Sequence, residues 1–370
     1  MKPARFKSLD VFRGLTVCVM IIVNTAGAGA EPFATLQHAK WFGFTLADAV
    51  FPSFLFAVGN AMSFAMKPGV SNKDYLLKVL KRTVLIFLLG YLMYWYPFVH
   101  QQVDGTWALN PIGETRIMGV LQRIALCFGI AAVVCRYLPV KYLIFLCVIL
   151  LVGYWSILMA FGLPGQQLTP LGNAGALFDQ AVIGIQHMYK KGHGYDPEGL
   201  LSTLPAIVNV IAGYLAGLYI MRTGDKPKLV RNLLIGGALI VAAGLLWSLG
   251  FPLAKRLWTS PFVLLTVGID LLILGVLITY VEIAGQTRGT KFFEIFGKNP
   301  LVIYLFSELL VTTMQLIKIN EEGLYDWIGI HLFQAVLPGA IGSLVCAITY
   351  MLVCWLLGFA MDKKNIIIKL

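Results

Sequence analysis

The sequence predicts an all-α, polytopic integral membrane protein: a helical bundle of about ten transmembrane helices, with the N-terminus and the C-terminus both cytoplasmic. Of its 370 residues, 58% are hydrophobic and only 13% are charged, and the mean hydropathy is +0.79. Apolar runs of about 20 residues, long enough to cross a bilayer as a helix, recur along the whole chain. No extended polar stretch interrupts them, so residues 1–370 are interpreted as a single transmembrane domain.

The apolar runs divide the chain into ten predicted spans. The first one follows a basic lead and precedes NTAGAGAEP, a pattern that a cleaved signal peptide shares. Because the lead is long, carries Asp10 and turns apolar late, we interpret this segment as a retained first helix. The predicted spans are 10–29, 44–66, 75–96, 117–137, 141–162, 201–221, 230–250, 260–282, 297–317 and 337–360.

The distribution of basic residues predicts the orientation of the bundle. If the N-terminus is cytoplasmic, the inner loops and termini hold about three times as many Lys and Arg residues as the outer loops. Both termini are then basic and inside, which requires an even number of spans. The four long connecting segments fall on the outer face, where loops are free to carry a substrate site; they are 30–43, 97–116, 163–200 and 318–336.

Composition and spacing argue against two classes of function. The formal net charge is +11, but the cations are scattered through short loops, as membrane orientation requires, which argues against a nucleic-acid partner. The six cysteines lie in or beside apolar runs without metal-type pair spacing. No two histidines have the i, i+4 spacing of a helical zinc site, so no metal is predicted.

Ionisable residues within predicted spans are candidates for function because burying a charge in a bilayer is costly. The alternative is a hydrogen bond or ion pair that holds the bundle together. For Arg123, that alternative is a pairing with Asp270 or Glu308. The four ionisable candidates are Asp48, Arg123, Asp270 and Glu308.

Three polar residues cluster where the first two predicted spans meet the outer face. Asn24 is near the outer end of the first span, His38 is in the short loop that follows, and Asp48 is about one turn into the second span. A neutral histidine can accept a proton from a nucleophile, and a carboxylate can hold its tautomer. An amide can donate to an oxyanion, so the set suits acyl transfer. The alternative is an idle, solvent-exposed loop histidine.

A second polar group lies in the segment HGYDPEG. There Asp196 and Glu198 lie close to His193. An ordinary polar turn before a helix is the alternative to a functional role.

Five stretches together resemble one family of enzymes. They are RFKSLDVFRGLTVCVMIIVN, LQHAKWFGFTLADAVFPSFLFAVG, GVLQRIALCFGIA, YDPEGLLSTLPAIVNVIAGYLAG and FGKNPLVIYLFSELL. In this order they resemble the transmembrane acyltransferases of the heparan-α-glucosaminide N-acetyltransferase family, in its compact bacterial form. The resemblance implies a membrane enzyme that moves an acetyl group from acetyl-CoA to the amino group of a terminal glucosamine.

The resemblance also implies roles for individual residues. The active-site histidine of the family falls on His38, its helix-end asparagine on Asn24, and its T-x-A-D-x-V-F-P aspartate on Asp48. His38 then deprotonates the acceptor amine, or else carries the acetyl group itself; both routes stay open.

The implied co-substrate and location complete the hypothesis. Arg123, Asn299 and Lys298 are the candidates for contact with acetyl-CoA, whose phosphates need basic groups and helix N-termini. The implied location is a bacterial inner membrane, with the bilayer as a partner, an amino-sugar acceptor reaching the site from the periplasm, and a homo-oligomer left open. The rival functions are a transporter of a sugar or lipid-linked sugar and a membrane O-acyltransferase.

Overall fold

A computed structural model describes residues 6–66, 69–102, 106–190 and 193–368. Five cations that enter the predicted charge asymmetry lie outside these residues: Lys2, Arg5, Lys67, Lys191 and Lys369. The described part of the chain is mostly helical. Its helices are α1 (Lys7–Asn24), α2 (Leu46–Ala65), α3 (Asn72–Trp95), α4 (Val120–Tyr137), α5 (Val140–Phe161), α6 (Ala174–Val182), α7 (Thr203–Arg222), α8 (Lys226–Ser248), α9 (Ser260–Ile278), α10 (Thr290–Lys298), α11 (Pro300–Leu316), α12 (Leu324–Ile328) and α13 (Ala340–Lys363).

A long helix lies at each of the ten predicted spans, which supports a helical membrane protein. Among the described residues, seven helices are long and apolar enough to cross a bilayer, or eight if α10 and α11 form one span. Three of the ten helices account for the difference: α1 begins with Lys7, Asp10 and Arg13, α3 carries several cations in its first half, and α11 has only 17 residues and is long enough only together with α10. The number of spans and the cytoplasmic termini therefore stay predictions.

The fold departs from a purely helical one in the connecting segments. Strands β1 (Val99–Gln101) and β2 (Trp107–Leu109) pair antiparallel in one of them, and the short strands β3 (Lys318–Ile319) and β4 (Glu322–Gly323) pair in another. Both ribbons lie in segments predicted to be outside the bilayer. Backbone groups there can form hydrogen bonds with water, so short ribbons with open edges are tolerated. The hydrocarbon core of a bilayer does not tolerate such open edges.

Glycines bring α2 and α7 into backbone contact. A Cβ on Gly59 would lie 1.8 Å from the carbonyl oxygen of Val210, and one on Gly213 would lie 1.9 Å from that of Phe56. Small residues allow such approach between membrane helices, where tight packing replaces the hydrophobic effect as the driving force. This contact holds α2, whose first turn carries Asp48, firmly in the bundle.

The two ends of the bundle can be told apart from α1. At its start, Phe6 packs edge-on against Phe64 near the end of α2, and Gly297 packs directly against the backbone of Asp10. Asn24 ends α1, 14 residues beyond Asp10, which is about 20 Å along a helix. We call the end that holds Asn24 the active-site end and the other the far end.

Candidate active site

The loop between α1 and α2 is held against two distant segments. The indole Nε1 of Trp41 donates to the carbonyl oxygen of Leu168 at 2.7 Å, and the amide of Gly43 donates to that of Leu253 at 2.8 Å. These bonds fold the loop back over the first turn of α2. His38 is thereby brought next to Asp48, ten residues later in the chain.

Asp48 is completely buried, and both of its oxygens are occupied. Oδ2 accepts the backbone amide of Ala39 at 3.2 Å and that of Thr45, the N-cap of α2, at 3.1 Å. An acid in the first turn that reaches back to the N-cap amide is a frequent helix start, which is why the helix begins here. Oδ1 lies 2.9 Å from Nδ1 of His38, so the carboxylate fixes the ring.

Lys255 lies on the other side of the His38 ring. Its Nζ is 3.0 Å from Nε2 and 3.2 Å from Nδ1. Because Nζ is almost equally distant from the two ring nitrogens, it lies out of the plane of the ring and away from the direction of the Nε2 lone pair. Burial lowers the pKa of Lys255, while the negative charges of Glu198 and Asp48 act in the opposite direction.

His38 and Lys255 open into a cavity of about 210 Å³ at the active-site end. Asn24 lines the same cavity, and its Nδ2 donates to Oε1 of Glu308 at 3.3 Å. The structure therefore brings Asn24 and His38 to one cavity, with Asp48 directly behind His38. The polar lining comes from Asn24, His38, Tyr94, Arg116, Tyr189, Glu198, Lys255, Arg256 and Tyr304.

A second charged group lies at the same cavity, which Arg116 and Glu198 line. Arg116 donates to both oxygens of Asp196, at 3.0 and 2.5 Å, and to Oε2 of Glu198 at 2.6 Å. Its guanidinium also lies over the rings of Tyr94 and Tyr189. Burial alone would raise the pKa of Glu198, but the charge of Arg116 holds it below the ordinary value. The two acidic residues of HGYDPEG, Asp196 and Glu198, thus both accept hydrogen bonds from Arg116.

Arg123 lies outside the cavity lining. It is completely buried, and its Nη2 donates to the carbonyl oxygen of Gly199 at 2.9 Å and to the hydroxyl of Ser202. The alternative of an ion pair with Asp270 or Glu308 is wrong: Asp270 accepts from Ser53, and Glu308 from Asn24. The guanidinium bonds to the 199–202 segment instead through Nη2 alone, and its Nε and Nη1 have no hydrogen-bond partner among the described residues.

Lys298 and Asn299 lie at the far end. Lys298 pairs with Asp362, and Asn299 holds the C-terminal segment by donating to the carbonyl oxygen of Ile366 and accepting the amide of Ile368, both at 2.9 Å. About 20 Å of α1 separates this junction from the cavity that holds His38. The six predicted site residues are therefore not one cluster.

Sequence analysis missed three cations that line the cavity: Arg116, Lys255 and Arg256. A usable signal was present, because basic residues are scarce on the predicted outer face and any cation there is exceptional. Arg256 donates to the hydroxyl of Tyr195 at 2.6 Å, which places it beside the loop that holds His38.

Asp179 in α6 supports the acidic segment and carries a testable pH dependence. Its Oδ1 accepts the amides of Leu200 and Leu201, and burial raises its pKa to about 7. The folded state therefore binds more protons than the unfolded state between the ordinary aspartate pKa and about 7, so this group makes stability fall as pH rises through that window.

We expect Asp179→Asn to remove this fall. As the pH is raised from 5 to 8, the Tm of the variant minus the Tm of wild type should increase by a few degrees, measured by thermal unfolding in detergent. Asp74→Asn, which changes an exposed carboxylate, is the control. Parallel pH profiles for wild type and Asp179→Asn would contradict the assignment.

Comparison with known proteins gives one family. Residues 5–183 match the family profile described as heparan-alpha-glucosaminide N-acetyltransferase, catalytic. The chain is 26% identical, over an alignment of 405 positions, to the heparan-alpha-glucosaminide N-acetyltransferase of Mus musculus. The alignment covers 94% of this chain and 59% of the mouse protein. It is 27% identical over 365 residues to the Homo sapiens protein of the same name, covering 83% of this chain and 53% of that protein.

The chain thus spans between half and three-fifths of the length of these two relatives. The matched region contains the α1–α2 loop and the whole of α2, so it includes Asn24, His38, Asp48 and Arg116. Residues 5–183, and with them the loop that forms the centre of the candidate site, match the catalytic profile of the heparan-α-glucosaminide N-acetyltransferase family, and most of the chain is similar to two proteins of that name.

Proposed function

We propose that this protein is a membrane acetyltransferase that moves the acetyl group of acetyl-CoA to the amino group of a glucosamine-type sugar. The observation that carries the proposal is the His38–Asp48 pair at 2.9 Å, opening into a cavity shared with Asn24 and Lys255. The names of the relatives supply the reaction and the acceptor class.

His38 acts as the general base. With Nδ1–H bonded to Asp48, the free lone pair of the ring is on Nε2, which faces Lys255 and the cavity. As the acceptor nitrogen attacks the thioester carbonyl, Nε2 takes its proton, and the buried carboxylate stabilises the imidazolium that forms. Detection of an acetylated His38 after rapid quenching would instead favour the route through an acetyl-histidine.

Asn24 stabilises the transition state. Its amide Nδ2 is a donor at the cavity wall, near where negative charge develops on the carbonyl oxygen. In the absence of substrate, the amide donates to Glu308 over a long 3.3 Å bond, which is weak enough to be exchanged for the oxyanion.

The donor enters from the far end, through a basic pocket of about 640 Å³. Lys78, Lys81 and Arg82 line it, and the phosphates of acetyl-CoA need such cations. On α2 the pocket begins at Met62, 12 residues or about 18 Å from Val50 in the cavity wall. The acetyl arm of CoA spans this interval.

Gln122 lies between the pocket and the cavity with an unsatisfied amide. Both its Nε2 and its Oε1 are buried without a hydrogen-bond partner among the described residues, and it contacts the backbone of Gly90. A buried amide needs partners, and the arm of CoA carries amide groups that match it. Gln122 therefore bonds the arm when the donor is bound.

Arg123, Lys298 and Asn299, which the sequence predicted to contact acetyl-CoA, have less direct roles. Arg123 acts on the cavity by holding the segment that carries Glu198. Lys298 and Asn299 are at the same end of the bundle as the basic pocket, where contact with the nucleotide of CoA is their proposed role.

The membrane orientation follows from the charge bias of the loops: the cavity faces the periplasm and the basic pocket faces the cytoplasm, where acetyl-CoA is made. The protein thus passes an acetyl group, and not the whole donor, from one side of the bilayer to the other.

The purified protein in detergent or liposomes should release CoA from labelled acetyl-CoA when glucosamine-type sugars are supplied, with the label recovered as an amide. Because the basic pocket recognises phosphates, acetyl-CoA should have a KM at least about tenfold below that of S-acetylpantetheine, which lacks the nucleotide.

Each rival function has its own result in this assay. Label recovered as an ester would indicate an O-acyltransferase. Sugar uptake into liposomes without any acetylated product would indicate a transporter and would overturn the proposal.

A further inference from the structure

The amine of Lys255 contacts the free ring nitrogen of His38. Its Nζ lies 3.0 Å from Nε2, the atom that must accept a proton in the proposed reaction. Because the ammonium lies beside this atom and out of the ring plane, it occupies part of the space through which the acceptor amine approaches Nε2. Lys255 lines the cavity itself and therefore has somewhere to turn.

The surroundings of Lys255 suit a group that gives up a proton and regains it. The side chain is partly enclosed, and burial lowers its pKa, which makes the ammonium a better acid. The negative charges of Glu198 and Asp48 oppose this shift. The neighbouring cation Arg256 is bonded to Tyr195 and has no contact with His38 among those the structure records, so the two cations differ in function.

We propose that Lys255 is the proton donor to the departing sulfur of the acetyl donor and is recharged by His38. This inference rests on the proposed acetyltransferase function. A thiolate leaves a tetrahedral intermediate more readily when it is protonated as the C–S bond breaks. Lys255 is the cation that can reach both the cavity and the base.

The reaction balances in three steps. The acceptor nitrogen forms a C–N bond to the acetyl carbon, and its proton moves to Nε2 of His38. The C–S bond breaks, and the ammonium of Lys255 gives its proton to the sulfur, which leaves as the thiol. The His38 imidazolium then returns its proton to the Lys255 amine, whose Nζ lies 3.0 Å from Nε2 and turns into the ring plane to accept it. The protein ends in its starting protonation state.

The first test needs no acetyltransferase activity. Diethyl pyrocarbonate modifies an unengaged imidazole nitrogen, and peptide mass spectrometry reads its rate at His38 alone. Lys255→Met should raise that rate about fivefold or more, because the ammonium no longer blocks the approach to Nε2. Lys40→Met removes an exposed cation two residues from His38 that does not line the cavity, and it should leave the rate at His38 unchanged. Equal rates in wild type and Lys255→Met would overturn the proposal.

The second test uses two acetyl donors. With acetyl-CoA, the kcat of Lys255→Met should be about 100-fold below that of wild type. With an S-acetyl donor whose acidic aromatic thiol leaves without a proton, the kcat of the same variant should fall less than about fivefold. Lys255→Arg, a cation that does not release its proton, should behave as Lys255→Met does. Thermal unfolding checks that each variant is folded.

The outcomes separate the two proposals. Equal losses with both donors, in a wild type that transfers acetyl groups, would overturn the role of Lys255 and leave the acetyltransferase function standing. A wild type that transfers no acetyl group from either donor would overturn both.

Discussion

His38→Ala is expected to lower kcat for acetyl transfer by about 10³- to 10⁴-fold while the protein stays folded. The ring is the only group in the described part of the cavity that combines a free nitrogen lone pair with a buried carboxylate behind it. Its side chain is 38% exposed, so removing it leaves little buried space to refill. Loss of the base therefore acts on the reaction far more than on stability.

The measurement compares kcat and KM for labelled acetyl-CoA in wild type, His38→Ala and a control, His100→Ala. His100 is an exposed histidine on β1 that bonds Asn110, and its replacement should leave kcat within about twofold. Turnover by His38→Ala at the wild-type rate would remove the proposed base even though the match to the family profile stands.

Asp48→Asn is expected to lower kcat by about 10²- to 10³-fold through the wrong tautomer of His38. The carboxylate accepts from two backbone amides on one side and from Nδ1 on the other. Asparagine can keep the backbone bonds with its oxygen, but its Nδ2 then faces His38 as a donor. The ring responds by moving its proton to Nε2, where it no longer accepts one.

Two readouts distinguish this effect from simple unfolding. Thermal unfolding should show Asp48→Asn lowered by only a few degrees, whereas Asp48→Ala, which leaves buried amides unbonded, should be lowered much further. The KM for acetyl-CoA should change little in Asp48→Asn, because the basic pocket is about 18 Å away. A normal kcat in Asp48→Asn would contradict the role given to the carboxylate.

The sequence predicted the helices well because their signal is local. An apolar run of about 20 residues forms a helix in a bilayer whatever surrounds it, since its backbone must be satisfied internally. All ten predicted runs are helical in the structure, whereas their count as spans depends on charges near helix ends, as in α1 and α3. The ribbons β1–β2 and β3–β4 escaped prediction because they are short and lie in polar connections.

The candidate site also has a part that the sequence predicted and a part that it did not. The proximity of Asn24, His38 and Asp48 was predictable because a short loop joins their helices, and the structure puts Asn24 and His38 in one cavity with Asp48 against the ring. Lys298 and Asn299 were grouped with them by chemistry alone, and the length of α1 keeps them about 20 Å away. Whether they contact the donor stays a prediction.

By itself, then, the sequence determined the class of protein, the position of its helices and a histidine with its carboxylate partner, all of which depend on nearby residues. The tertiary structure alone decided which cations share the cavity: Lys255 lies 217 residues from His38, and Asp196 lies 80 from Arg116. Such pairs form only when packed helices bring their connecting segments together at one end of the bundle. Because the packing of those helices depends on contacts such as that of Gly59 with Val210, no local pattern records it.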